Sequence, residues 1–231
     1  MKLAIGKDKL ELESGGAKVQ LLRPWHCSAS ERALRIGLTG GICCGKTTVQ
    51  QLFRARGSVV ADADQIAREI LKPGTSGLQA VVAEFGAGVI HSDGTLDRAR
   101  LAEIVFRDPA ARQRLENITH PRIAKRTEAI LTQAIPGQIA LYDVPLLVEL
   151  DLATQFDVVI VVDSDLSLRL ERLANRGMSQ KQALARIGAQ ATEAERRNVA
   201  HLWIQNDGTL DELTEVVNGL IEILTDGLNR R

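Results

Sequence analysis

Gly40-Gly41-Ile42-Cys43-Cys44-Gly45-Lys46-Thr47-Thr48 follows the apolar run Leu34-Arg35-Ile36-Gly37-Leu38-Thr39 and precedes an amphipathic run from Val49 to Arg56. The order is strand, glycine-rich loop, helix. Gly, four residues, then Gly-Lys-Thr is the spacing at which successive backbone N–H groups turn inward around nucleotide phosphates. The glycines let the backbone turn and come close to an anion. Lys46 supplies a point charge for the terminal phosphates, the Thr47 hydroxyl is a ligand for Mg²⁺, and a helix beginning near Lys46 adds its positive end. The spacing therefore predicts a nucleotide site formed by Gly41, Ile42, Cys43, Cys44, Gly45, Lys46, Thr47 and Thr48.

Working outward, apolar runs at Ser58–Ala61, Gln138–Asp143, Phe156–Asp163 and Leu202–Asn206 read as four further buried strands. Five strands alternating with helical segments imply an α/β fold with a five-stranded parallel sheet flanked by helices. The second and third strands are too far apart for one crossover helix, which predicts a helical insertion over 64–133. The Arg-rich stretch 169–197 reads as a second insertion. The core then comprises 34–63, 134–168 and 198–231, closed by an amphipathic helix over Asp211–Leu228. Residues 1–33 are an N-terminal extension to which no role is assigned; Leu10–Leu22 suits either a hairpin or a disordered segment.

A chain of 231 residues with 45% hydrophobic content can bury a full core. Its formal net charge of zero gives no general pull toward nucleic acid or membrane, and four Phe, two Trp and one Tyr leave little for base stacking. Cys27, Cys43 and Cys44 lack metal-ligand spacing, so a reducing, cytoplasmic setting fits best. The first residues mix Lys7, Asp8, Lys9, Glu11 and Glu13 into their apolar positions, which argues against a signal-peptide core.

Several side chains stand at the carboxyl ends of the strands, where open α/β sheets bind ligands. Asp62 suits a helix N-cap as well as chemistry, whereas Asp64 is favoured as a proton acceptor. Asp143, before a Pro turn, and Asp163 carry the same choice between metal contact and cap. Arg169, Arg172 and Arg176 recur at helical spacing, which puts them on one face of either a phosphate-closing lid or a solvated helix. His120 precedes Pro121 and reads as a turn residue, His26 and His91 as loop residues, and His201 as a partly buried polar group. Packing alone explains Cys43 and Cys44. The alternative is redox control, with the helix end and Lys46 lowering a thiol's pKa.

Taken with Asp62-Ala63-Asp64, Ala67-Arg68, Pro73-Gly74, Phe85-Gly86, Asp93-Gly94, Leu96-Asp97-Arg98, His120-Pro121, Val144-Pro145-Leu146-Leu147, Glu149, Gln190 and Asn206, the loop resembles that of the dephospho-CoA kinases, which complete coenzyme A synthesis. The resemblance runs from Ile36 to about Asp211 and implies a P-loop kinase core, a helical domain for the CoA moiety and a lid. It implies Mg²⁺-dependent transfer of the ATP γ-phosphate to the ribose 3′-hydroxyl of dephospho-CoA; beside it, a monomer or weak homo-oligomer without nucleic-acid or membrane partners is expected. Asp64 matches the base; Lys46, Arg172 and Arg176 join it in the catalytic set. Arg68, Phe85, Arg98 and His120 fall where substrate is expected, and Asn206 near the adenine pocket. Three departures stand out: Cys43-Cys44 replaces the usual Gly-Ser, Arg169 stands where Gln is common, and His201 where Asp is common. A P-loop kinase for another hydroxyl, or a non-catalytic nucleotide-binding module, are the alternatives.

Overall fold

The structure, a computed structural model, describes residues 2–6, 9–25 and 32–229; His26 and Cys27 lie outside them. In chain order the elements are β1 (Lys2–Gly6), β2 (Lys9–Ser14), β3 (Ala17–Leu21), β4 (Leu34–Gly40), α1 (Lys46–Ala55), β5 (Val59–Asp62), α2 (Ala63–Glu69), α3 (Ser76–Phe85), α4 (Arg98–Arg107), α5 (Pro109–Leu131), β6 (Ile139–Asp143), β7 (Val158–Asp163), α6 (Leu166–Ala174), α7 (Gln180–Gly188), α8 (Glu193–Val199), β8 (Leu202–Asn206) and α9 (Leu210–Asn229). They divide into two compact units, Met1–Ala61 with Leu131–Arg231, and Asp62–Ile130.

The first unit is a sheet in the order β1-β2-β3-β8-β7-β4-β6-β5. The pairs β6–β4, β4–β7 and β7–β8 are parallel. β7 is buried along its whole length, which accounts for its unbroken Val and Ile run: a central parallel strand is covered on both faces. All five strands expected from the sequence are present.

The sheet is nevertheless larger than expected, because the N-terminal segment adds three antiparallel strands. The expectation of a hairpin within Leu10–Leu22 is met by β2 and β3, and β3 extends the sheet by pairing with β8 in the register Val19↔Ile204. Alternation explains this. Leu10, Leu12, Ala17 and Val19 are buried in the same core as Leu213, Val216, Val217 and Leu220 of α9, while Glu11 and Lys18 point outward as an ion pair. The outer N–H and C=O groups of β8 thereby gain partners that an edge strand lacks.

The second unit packs α2–α5 around Leu71, Leu78, Val81, Val89, Leu96 and Leu101. Thr75 caps α3 by accepting from Leu78 N–H, and Asp97 caps α4 by accepting from Arg100 N–H. His120 is not a turn residue here: it lies exposed within α5, and Pro121 is inside the helix. Proline removes the bond to the carbonyl of Asn117 and crowds that turn. Burial of Leu115 and Ile118 on the apolar face keeps the segment helical, and Arg122 Nη1 donates to the Ile118 carbonyl at 2.6 Å.

His201 is half-buried beside β8, and its Nδ1 accepts from Val159 N–H at 3.0 Å. Burial, and secondarily the charge of Arg23, hold its pKa below the ordinary histidine value. The unfolded chain therefore binds the proton first on acidification, so stability present above about pH 6.5 is lost as pH falls through the folded-state value. The melting temperature should fall as pH drops below about 6.5, and His201→Asn, which keeps an acceptor but cannot titrate, should flatten that slope. An unchanged slope in the variant would assign the loss to other groups.

Candidate active site

β4 ends at Gly40 and α1 starts at Lys46; the loop between them turns through Gly45, the N-cap of α1, at φ 96°. Any Cβ at Gly45 would lie 2.3 Å from Nδ2 of Asn206, so both the left-handed backbone and the close approach require glycine. Cys43 also has a positive φ, 60°. Among the described residues no acceptor is bonded to the amide N–H groups of Cys43, Gly45 and Thr47, while that of Lys46 donates to the Cys44 sulfur. Three free donors converge at the N-terminus of a helix, an arrangement made for an anion.

Lys46 Nζ is ion-paired with Asp143 at the end of β6, a carboxylate only 3% exposed. Metal contact and cap are the two sequence readings of Asp143; the ion pair with the loop lysine is a partnership that neither of them names. The Thr47 hydroxyl is exposed in the first turn of α1. Gly41 is buried, and Thr48 closes the first turn by donating its N–H to the Gly45 carbonyl at 3.0 Å.

The loop carbonyls are held from behind. Arg169 Nε donates to Ile42 O at 3.1 Å, Arg172 Nη1 to Cys43 O at 3.2 Å, and Asn206 Nδ2 to Cys44 O at 2.9 Å. Arg172 also reaches Ser164 Oγ and the carbonyl of Asn206, and Gln190 Oε1 accepts from Ile42 N–H at 2.8 Å. The next residue, Ala191, donates its N–H to Glu149 Oε1 at 2.8 Å. Gln190 and Glu149 thus tie the segment before α8 to the loop and to the turn after β6. Neither contact is legible from spacing.

The family model for dephospho-CoA kinase matches residues 34–212. The chain belongs to the dephospho-CoA kinase family. A dephospho-CoA kinase of Thermobifida fusca is 51% identical over 199 residues, covering 86% of this chain and 100% of that protein. One from Frankia casuarinae is 47% identical and covers 85% and 84% of the two chains. Among solved structures, a Thermus thermophilus protein superposes with a TM-score of 0.71 at 29% identity, covering 84% of this chain and 99% of that one. The dephospho-CoA kinase of Campylobacter jejuni gives 0.61 at 26%, covering 84% and 98%. The fold is accordingly that of a P-loop kinase, with ATP the family's co-substrate.

Several sequence expectations change in the structure. Arg169, Arg172 and Arg176 do not share a helical face, because α6 stops at Ala174 and Arg176 lies beyond it, exposed. Gly177, at φ 79°, ends the helix as a left-handed residue just past its C-terminus. Arg172 is half-buried against the loop rather than on a free surface. The side-chain amide of Asn206 lies under the loop, engaged with the Cys44 carbonyl. Asp163 is a buried partner of Arg196 at 2.9 Å and Arg169 at 3.6 Å, so its role is internal pairing. The helix end and Lys46 do not activate Cys44: burial dominates and pushes its thiol up to about 11. Burial thus disfavours the thiolate and argues against Cys44 as a redox switch.

In the second unit, Asp62 caps α2 by accepting from Gln65 N–H at 2.8 Å, whereas Asp64 is exposed in the first turn and makes no hydrogen bond or ion pair among the described residues. Arg68 is exposed near the end of α2, and Arg98 is exposed in the first turn of α4. Phe85, at the end of α3, packs on the unit's core, with the guanidinium of Arg114 6.0 Å from its ring centroid. Among the described residues no helix is long and apolar enough to cross a membrane, and no group of three or more His, Cys, Asp and Glu is placed to hold a metal ion.

Proposed function

We propose that the chain transfers the γ-phosphoryl group of ATP to the ribose 3′-hydroxyl of dephospho-CoA, giving ADP and coenzyme A. The observation that carries this is the set of free amide donors at Cys43, Gly45 and Thr47 beside the Lys46–Asp143 pair, in a chain of this family. The loop amides and Lys46 bind the β- and γ-phosphates, where a water-poor site makes fixed donors effective. Lys46 exchanges its buried carboxylate partner for phosphate oxygens as the nucleotide enters. Asp64 is the base, its carboxylate uncommitted to capping or pairing: it takes the proton of the 3′-hydroxyl as the oxygen attacks phosphorus and the bond to ADP breaks.

The segment 64–133 binds the CoA moiety, with Arg68, Arg98 and His120 offering exposed polar groups and Phe85 supporting them from the core. The segment 169–197 acts as the lid, in which Arg172 supports the loop and the exposed Arg176 is free to meet phosphate. Asn206 contributes to the nucleotide site by fixing the loop from beneath. The donor set suits Mg²⁺ arriving with ATP, since the Thr47 hydroxyl and the Asp143 carboxylate are oxygen donors that would hold it. Bound there, Mg²⁺ would neutralise charge on the transferring phosphate. The enzyme works as a monomer or weak homo-oligomer in the cytoplasm, where the free thiols of Cys43 and Cys44 stay reduced, without nucleic-acid or membrane partners.

A coupled ADP-release assay with Mg-ATP tests this, with dephospho-CoA, adenosine, AMP, shikimate or no acceptor in parallel. Release that depends on dephospho-CoA and yields CoA supports the assignment. Release with another acceptor would transfer it to a different P-loop kinase activity, and ATP binding without any turnover would make the chain a binding module.

A further inference from the structure

Cys43 holds a left-handed backbone, an uncommon state for a non-glycine residue because its Cβ crowds the adjoining carbonyl. Such a conformation persists only where its surroundings over-determine it. Here the two peptide groups that flank Cys43 are each held by a guanidinium of α6: Arg169 binds the carbonyl of the peptide before it, and Arg172 the carbonyl of the peptide after it. The orientations of those two peptide planes are what φ and ψ of Cys43 describe.

Arg172 has other duties, on Ser164 and Asn206. Arg169 has fewer. Its guanidinium is buried against Gly41, where a Cβ would lie 2.7 Å from Cζ, and it is anchored by Asp163, which Arg196 already pairs at 2.9 Å. Its Nη2 is buried with no hydrogen-bond partner. As an ion pair alone this is a poor arrangement, since an unpaired buried donor costs much of what the pair returns. The Nε–H bond to Ile42 is the feature that gives the burial a purpose.

We propose that Arg169 is a positioning residue for ATP binding: it locks the Ile42–Cys43 peptide so that Cys43 keeps the left-handed conformation that aims the loop amides at the phosphates. The inference rests on reading this loop as the ATP site. It makes a non-additive prediction, because a glycine at position 43 would adopt the same backbone without help.

The test is a double-substitution cycle read by ATP-binding calorimetry, with melting temperature and steady-state kinetics alongside. Arg169→Gln should raise the Kd for ATP roughly tenfold and raise KM for ATP similarly, with kcat within about twofold. In a Cys43→Gly background the same substitution should change the Kd by less than about twofold. If Arg169→Gln does not fold, Arg169→Lys replaces it, keeping charge beside Asp163 while removing the Nε–H donor. An equal loss in both backgrounds would overturn the inference and make Arg169 act on nucleotide by charge alone; no loss in either would overturn it as well. A native protein that binds no ATP would instead defeat the reading of the loop itself.

Discussion

Lys46→Ala lowers kcat/KM for ATP by roughly a hundred- to a thousandfold, through two effects of the same sign. The first is the lost attraction between the ammonium and the terminal phosphates, in a loop whose other contributions are neutral amides. The second comes from Asp143. Its carboxylate is 3% exposed and is paired with Lys46; without the lysine, a buried negative charge faces the position the phosphates must take. A buried pair broken on one side also destabilises the fold, so the variant should melt lower than the native protein. Lys46→Ala with Asp143→Asn separates the effects. The double variant should recover melting temperature and part of the ATP affinity while turnover stays low. Native rates in the single variant would contradict the phosphate-binding assignment of the loop.

Asp64→Asn should lower kcat by roughly a hundredfold or more and leave ATP binding and thermal stability nearly unchanged. The stability half of that expectation follows from exposure: Asp64 has no hydrogen bond or ion pair among the described residues, so its substitution disturbs little. Asp62, two residues earlier, provides the contrast. Its carboxylate caps α2 through Gln65 N–H, a job asparagine does equally well, so Asp62→Asn should be mild in both respects, whereas Asp62→Ala should cost about 1 kcal/mol of stability. Kinetics and melting curves on the three variants discriminate a base from a cap. Undiminished turnover in Asp64→Asn would take the base role away from it.

The capping contrast illustrates which kinds of feature were legible in the residues. The phosphate loop, the five predicted strands and α9 were readable because their signals are local: two glycines with four residues between them before Lys46-Thr47, apolar runs for strands, and leucines and valines at helical spacing. Matching segments in the right order supplied the family. Asp62 remained ambiguous in the sequence because a cap and a catalytic carboxylate need the same residue type at the same place, and only the tertiary structure supplies the Gln65 hydrogen bond that supports the cap.

The failures also have physical causes. His120-Pro121 signals a break, yet α5 runs through it because apolar burial outweighs the loss of one backbone bond. Arg176 fits a helical repeat, but α6 stops at Ala174, two residues before it. The N-terminal strands alternate visibly, but their function in the sheet depends on β8, nearly two hundred residues later, having an unpaired edge to offer.

By itself, then, the sequence determined the loop, its nucleotide chemistry, the order of strands and helices, and the family, all of which depend on spacing along the chain. Only the tertiary structure decided how the loop is held: Lys46 on Asp143 across 97 positions, Arg169 on Ile42 across 127, Arg172 on Cys43 across 129 and Asn206 on Cys44 across 162. It also decided that Cys44 is buried, which disfavours its thiolate. Such contacts are made when strands from distant parts of the chain meet in one sheet, and burial and hydrogen-bond geometry, which set both the backbone at Cys43 and the proton affinity of Cys44, exist only after that meeting.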